Sequence, residues 1–259
     1  MTIEVDPDWW KGLFDEVYLV TAARSVDNRA VTRREIDLFT AVVPMQPHQR
    51  ILDLCGGHGR HAMELCRRGF KACTVLDYSR ALLSVGARTA TAGGHGVSFV
   101  QGDARHTGLR SGAFDHVLIL GNSLGYLLEA DADLKILGES RRLLKSGGWL
   151  LLDVSDGEAA RTELAPRAWH EIGDEVVVCR ERDVRDGRIQ AREMVLSKTR
   201  GMIRDRTYGM RLYRAADLSA LAARAGFAAV RARSGAAALE AGTDMGCMNH
   251  RVVVTARKP

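Results

Sequence analysis

Arg50-Ile51-Leu52-Asp53-Leu54-Cys55-Gly56-Gly57-His58-Gly59-Arg60-His61 is the stretch on which the fold turns. It reads as a buried strand, a glycine-rich turn and the start of a helix. A second apolar run, Ala72 to Leu76, ends in Asp77. In open α/β sheets, ligands bind outside the carboxyl ends of the strands. Glycines there let a ligand approach the backbone closely, and a carboxylate can accept two hydroxyl hydrogen bonds. The pattern suits a nucleoside with a free ribose.

Two nucleoside ligands fit. Gly57, Gly59 and Ala62 satisfy G-x-G-x-x-G/A, and Asp77 lies about 20 residues beyond, as a dinucleotide site would have it. Asp53 separates the two. A pyrophosphate rests on the free amides of a helix N-terminus, and a carboxylate in the same turn repels it. S-adenosylmethionine has no phosphate and carries an α-ammonium and a sulfonium. An acid in the turn attracts it, so the residues favour the methyl donor.

The same residues resemble the class I S-adenosylmethionine-dependent methyltransferases, in particular the small-molecule, natural-product type. Asp53-Leu54-Cys55-Gly56-Gly57-His58-Gly59 is similar to their first motif, acid-x-Gly-x-Gly-x-Gly, with Cys55 in place of the first glycine. Cysteine is small enough for the turn, provided its backbone avoids positive φ. Asp77 matches the family's ribose-binding acid, followed by Tyr78, and Gly102-Asp103-Ala104 matches the segment beside the adenine. Phe114 to Leu120 resembles the fourth strand, and Leu143 to Asp153 the turn and fifth strand. The matches run in order from about residue 50 to 154. The resemblance implies a cofactor site of Asp53, Cys55, Gly56, Gly57, Gly59, Asp77, Tyr78, Asp103, Ala104, Leu120 and Asn122.

Strand signals near 50–54, 72–76, 97–100, 115–120 and 149–154 alternate with helical ones, which argues for a parallel sheet. Two closing strands, Ala228–Arg233 and Arg251–Ala256, bring the count to seven. The fold class expected is α/β: a Rossmann-like, mostly parallel seven-stranded sheet with helices on both faces. Residues 1–46 read as a helical lid, with Trp9, Trp10, Leu13, Phe14, Val17 and Tyr18 forming an apolar stripe and a second helix over Arg33–Val43. Residues 47–167 read as the cofactor-binding core. Residues 168–213 read as an antiparallel insertion, a roof over the substrate. Its three segments are Glu175–Val184, Arg188–Lys198 and Met202–Tyr213, with a hairpin turn at Asp186-Gly187. Residues 214–259 carry the last helix, Ala215–Ala225 ending at Gly226, and the closing strands.

Composition narrows the function classes. Hydrophobic content of 46% and charged content of 27% are ordinary globular values. No apolar run approaches 18 residues, so no membrane span or membrane partner is expected. The opening Met1 to Trp10 is not a secretory signal. The five cysteines form no C-x-x-C, and a reducing cytoplasm is the simpler reading. A net charge of +5 raises nucleic acid as a partner. The arginines are interleaved with acids, however, and no RNA-binding motif is present. Gly121-Asn122-Ser123-Leu124-Gly125-Tyr126 also lacks the Asp/Asn-Pro-Pro-aromatic signature of base amino-methyltransferases.

Candidate catalytic residues are Tyr18, Asn122, Tyr126 and His170, with His250 a further candidate base. Tyr18 stands where relatives place an aromatic against the cofactor; it also reads as a rim residue of its helix. Asn122 and Tyr126 follow the strand that faces the transferring methyl. Cys55, His58, His61 and Cys66 lack the spacing of a zinc site, so no metal is expected. Arg60 and His61 read as helix-opening residues. Arg204, Arg206, Arg211 and Arg214 read as a mostly solvated strand face, with an anion clamp as the alternative.

The function expected is methyl transfer from S-adenosylmethionine to a small molecule, with nitrogen favoured over oxygen because no unambiguous base stands out. A nicotinamide-dependent oxidoreductase and a non-catalytic binding protein on the same core are the alternatives. A homo-oligomer stays open.

Overall fold

The computed structural model describes residues 3–22, 28–235 and 248–259. The chain opens with two short helices, α1 (Trp10–Leu13) and α2 (Glu16–Thr21), then α3 (Arg29–Val42). The apolar stripe does not run through one continuous helix. Asp15 interrupts it with extended backbone and caps α2, its carboxylate accepting the Tyr18 N–H at 3.0 Å. Helix α3 begins four residues earlier than its periodicity predicts, because the Asn28 side chain accepts the amides of both Ala30 and Val31.

Strands β1 (Arg50–Leu54), β2 (Ala72–Asp77), β3 (Val97–Gln101), β4 (Phe114–Ile119) and β5 (Leu144–Ser155) form the core. They are interleaved with α4 (Arg60–Arg67), α5 (Arg80–Ala92) and α6 (Ala132–Leu143). After a short helix α7 (Gly157–Glu163) come β6 (Arg167–Ile172), β7 (Val176–Arg185), β8 (Arg188–Ser197) and β9 (Gly201–Arg211). Helix α8 (Ala215–Arg224) and strands β10 (Ala228–Ser234) and β11 (Arg251–Arg257) complete the described chain.

The main sheet has seven strands in the order β10-β11-β5-β4-β1-β2-β3, parallel except for β11, which runs against both neighbours. Ile51, Leu52 and Leu54 of β1 are at most 1% exposed, and Leu150, Leu151 and Leu152 of β5 are wholly buried. Strands buried along nearly their whole length are covered on both faces. Chain order reverses between β1 and β4, so the carboxyl ends of β1, β2 and β4 diverge around one crevice. Strand β5 begins at Leu144, five residues ahead of its sequence signal. Its polar start is held from outside: Gly147 donates its N–H to the Lys258 carbonyl and Lys258 donates its own to the Gly148 carbonyl, both at 2.9 Å.

The insertion is a second sheet, β6-β7-β8-β9, all antiparallel. It has one strand more than the sequence signals. β6 is an edge strand with no residue fully buried, so its composition carries little apolar alternation. The turn at Asp186-Gly187 has φ of +50° and +71°, the paired positive values of a tight hairpin. Two backbone bonds tie the end of β9 to the core: Arg211 donates to the carbonyl of Gly125 in the loop after β4, and Gly157 at the start of α7 donates to that of Tyr213.

Candidate active site

The glycine turn packs against the end of β2. Cys55 donates its N–H to the Leu76 carbonyl at 2.7 Å. This docking forces Cys55 to φ +60°, against the expectation that it avoids the left-handed region. The conformation costs a side-chain-bearing residue about 1–2 kcal/mol. Gly57 follows at φ +57°, and its N–H donates to Asp77 Oδ2 at 2.8 Å. The other Asp77 oxygen accepts the Ser79 N–H at 2.8 Å. Each oxygen keeps a further lone pair, so the acid stays available to ligand hydroxyls. Burial raises the Asp77 carboxyl above its usual range, against the pull of these amides.

The turn, Asp77 and the β4 loop enclose a cleft of about 1090 Å³ of empty space, part of it open to solvent. Of the cofactor residues expected, Cys55, Gly56, Gly57, Asp77, Tyr78, Asp103, Ala104 and Leu120 line it. Three do not. Asp53 is 1% exposed and lies beneath Gly56, where an added Cβ would come within 2.6 Å of its Cγ. Burial pushes this acid up to about 7, in spite of Arg60. Gly59, at φ +77°, is a packing glycine: its Cβ would meet Phe99 at 2.9 Å. Asn122 faces away, its side-chain oxygen accepting the Ser155 N–H at 2.9 Å and its amide donating to Met210 Sδ.

A second cavity, of about 2000 Å³ and likewise partly open, lies between the N-terminal helices, the β4 loop and the antiparallel sheet. Asn122, His170, His250, Tyr208 and Trp169 line it. Five residues line both spaces: Phe14, Tyr18, Arg60, Gly121 and Tyr126. The candidates Tyr18 and Tyr126 therefore stand at the junction, while Asn122 and His170 belong to the second cavity alone. Phe14 packs edge-on to Tyr18 with centroids 5.0 Å apart and lies 5.5 Å from Tyr126. Trp9 reaches Tyr126 at 5.3 Å and Tyr208 at 5.9 Å. His250 Nε2 lies 2.8 Å from Glu163.

The N-terminal helices are held on this end of the sheet. Ser79 donates its hydroxyl to the Phe14 carbonyl, and Trp10 packs edge-on to Tyr78 with centroids 4.6 Å apart. Arg204 does not belong to a solvated strand face: it is 7% exposed and pairs with Asp15 and Glu193. Arg211 pairs with the buried Asp133, which lines the cleft. Arg206 and Arg214 do remain on the surface.

Beneath the junction lies a charge network that no local pattern announced. Glu35 of α3, wholly buried, meets Arg251 of β11 at 2.6 Å, His61 at 3.0 Å, and Arg60. Arg251 in turn meets Asp153 of β5 at 3.0 Å. Burial alone would raise the Glu35 carboxyl, but Arg60, His61 and Arg251 hold it well below the usual range. Burial and the Arg60 charge lower His61 to about 4, so it is neutral near pH 7. Among the described residues, no group of histidine, cysteine and acidic side chains is arranged to hold a metal.

Residues 51–148 match the family described as a methyltransferase domain. That stretch, running from β1 into β5, is similar to a methyltransferase domain. A curated relative, the ubiquinone/menaquinone biosynthesis C-methyltransferase of Acidiphilium cryptum, is 31% identical over 134 residues, covering 51% of this chain and 52% of that protein. A putative methyltransferase of Bacillus subtilis is 35% identical over 105 residues, covering 40% and 42%. The chain thus spans about half the length, or less, of these curated relatives. Solved methyltransferases share the whole fold. CcbJ of Streptomyces caelestis has a TM-score of 0.75 at 22% identity, covering 98% of this chain and 99% of that one. The sugar N-methyltransferase KedS8 of a Streptoalloteichus species has a TM-score of 0.69 at 19% identity, covering 100% and 96%.

Proposed function

We propose that the protein transfers the methyl group of S-adenosylmethionine to a small-molecule acceptor, with nitrogen favoured over oxygen. One observation carries the reading. The cleft that holds Asp77 and the glycine turn meets the second cavity at a frame of Phe14, Tyr18, Arg60, Gly121 and Tyr126.

The residues fit the donor. Asp77 has lone pairs for both ribose hydroxyls, and Tyr78, Asp103 and Ala104 line the cleft for the adenine. Gly56 and Gly57 leave the backbone bare along the methionyl arm, where a Cβ on Gly57 would stand 3.3 Å from Leu82. When bound, the donor supplies an electrophilic methyl on a sulfonium. The chain's own work is to hold a nucleophile in line with that methyl and keep water out. Such orientation is worth about 7–11 kcal/mol in favourable cases. Tyr18, Phe14 and Tyr126 bring three aromatic rings to the junction, and aromatic rings attract cations over their faces. An amine acceptor becomes an ammonium on methylation, so these rings suit the charge that develops. The His250–Glu163 pair lines the cavity as the candidate base for an oxygen acceptor.

Titration calorimetry with S-adenosylhomocysteine and with NAD tests the donor, and transfer of labelled methyl to panels of amines, phenols and acids tests the acceptor. Binding of the first ligand alone, with label appearing in amines, is the expected result. Binding of NAD alone would overturn the donor reading. Label confined to phenols or acids would overturn the preference for nitrogen.

A further inference from the structure

The donor's methionyl end carries an α-carboxylate beside its α-ammonium, and the charged side chains lining the cleft are mostly acidic, with Asp77, Asp103 and Asp133 among them. Among the described residues that line the cleft, Arg60 is the one lysine or arginine. It is the first residue of α4, directly after the glycine turn. Its Nη1 donates to Thr32 Oγ1 at 2.9 Å and to Glu35. Its Nη2 takes no hydrogen bond among the described residues and lies 3.7 Å from where a Cβ on Gly121 would sit. The side chain is 12% exposed, so a carboxylate placed there meets little competition from water. One edge of the fork is anchored to α3 and the other is left facing the cleft.

We propose that Arg60 receives the α-carboxylate of S-adenosylmethionine through Nη2, making it a determinant of donor binding outside the ribose and adenine contacts. The assignment rests on the donor reading above. Guanidinium suits a carboxylate because its donors are planar and directional. Glu35, locked by Arg251 and His61, fixes the plane of the fork. Because α3 supplies both Glu35 and Thr32, the N-terminal region helps build the donor site as well as covering it.

The test compares ligands that differ at the amino-acid end. S-adenosylhomocysteine has the carboxylate, and 5′-methylthioadenosine lacks the amino-acid end but keeps ribose and adenine. By calorimetry, Arg60→Gln is expected to weaken S-adenosylhomocysteine by about 10- to 150-fold, the range for a hydrogen bond to a charged group. The same variant should bind 5′-methylthioadenosine as wild type does, which also reports that the cleft is intact. Arg60→Lys should fall between. A ligand-side measurement covers the case in which Arg60→Gln does not fold: wild type should bind decarboxylated S-adenosylmethionine more weakly than S-adenosylmethionine, and Arg60→Lys should narrow that difference. Equal weakening of both adenosine ligands, unchanged S-adenosylhomocysteine affinity, or no preference of wild type for the carboxylate would overturn the assignment. Failure of wild type to bind S-adenosylhomocysteine at all would instead strike the donor reading.

Discussion

Removing Glu35 should be among the most damaging single changes in this protein, although it lines neither cavity. Its carboxylate is wholly buried and serves three partners: Arg251 at 2.6 Å, His61 at 3.0 Å, and Arg60. In Glu35→Ala, Arg251 stays 1% exposed, keeping Asp153 at 3.0 Å but losing the Glu35 carboxylate. Breaking a buried pair from one side costs about 3–5 kcal/mol, since the remaining charge is left in a low-dielectric interior. For a chain of this size each kcal/mol moves the melting point about 2–4 °C, so a fall of about 6–20 °C is expected. The dependence on pH has a definite sign. The folded-state pKa of Glu35 is depressed, so its contribution is present above the unfolded value of 4.5 and is lost as pH falls below it. The gap between wild type and Glu35→Ala should therefore be full at neutrality and shrink in acid. Thermal and urea unfolding followed by circular dichroism measures both. A loss under about 1 kcal/mol at neutrality would rank the network with surface ion pairs and refute the reasoning.

Asp77→Ala should lower S-adenosylhomocysteine affinity by at least about 100-fold, since two charge-assisted bonds to the ribose are worth about 1.5–3 kcal/mol each; unchanged affinity by calorimetry would refute the ribose role. Asp53 titrates near 7 in the folded chain against 3.8 as the ordinary value, so its folded state holds an extra proton between them and stability falls as pH rises through that window. Asp53→Asn lacks this loss, and its advantage over wild type in urea unfolding should grow from acid to neutral pH by up to about 4 kcal/mol; a constant difference would contradict the burial argument. Deleting residues 1–20 should leave the main sheet folded but abolish methyl transfer, because Trp9, Phe14 and Tyr18 go and Arg204 loses Asp15. Tyr18→Phe should cost less turnover than Tyr18→Ala, since the ring packs edge-on against Phe14; full turnover in the truncated chain would end the lid idea.

Much of the site was legible because its parts are local. The glycine turn and Asp77 are each read within about a dozen residues, and a hydrogen bond between Gly57 and Asp77 then closes the cofactor end. Period and turn chemistry likewise placed the parallel strands and the Asp186-Gly187 hairpin, whose two positive φ values only a short polar-glycine pair adopts readily. Edge strand β6 and the polar start of β5 were not legible, because pairing partners far along the chain create them.

What the sequence by itself determined is the chemistry of the cleft's floor: bare backbone, an acid at the end of β2, and strands apolar enough to lie between two helical layers. Only the tertiary structure decided which candidates share a surface. It set Asp53 and Gly59 behind the cleft, turned Asn122 toward Ser155, and brought Phe14, Tyr18, Arg60 and Tyr126 to one junction. It also joined Glu35, Arg60, Asp153 and Arg251, which lie as far as 216 residues apart in sequence, from 35 to 251. The physical reason is range. Propensity and capping act over a few neighbouring residues, whereas buried charge is tolerated only where distant segments meet to neutralise it, and no local pattern records that meeting.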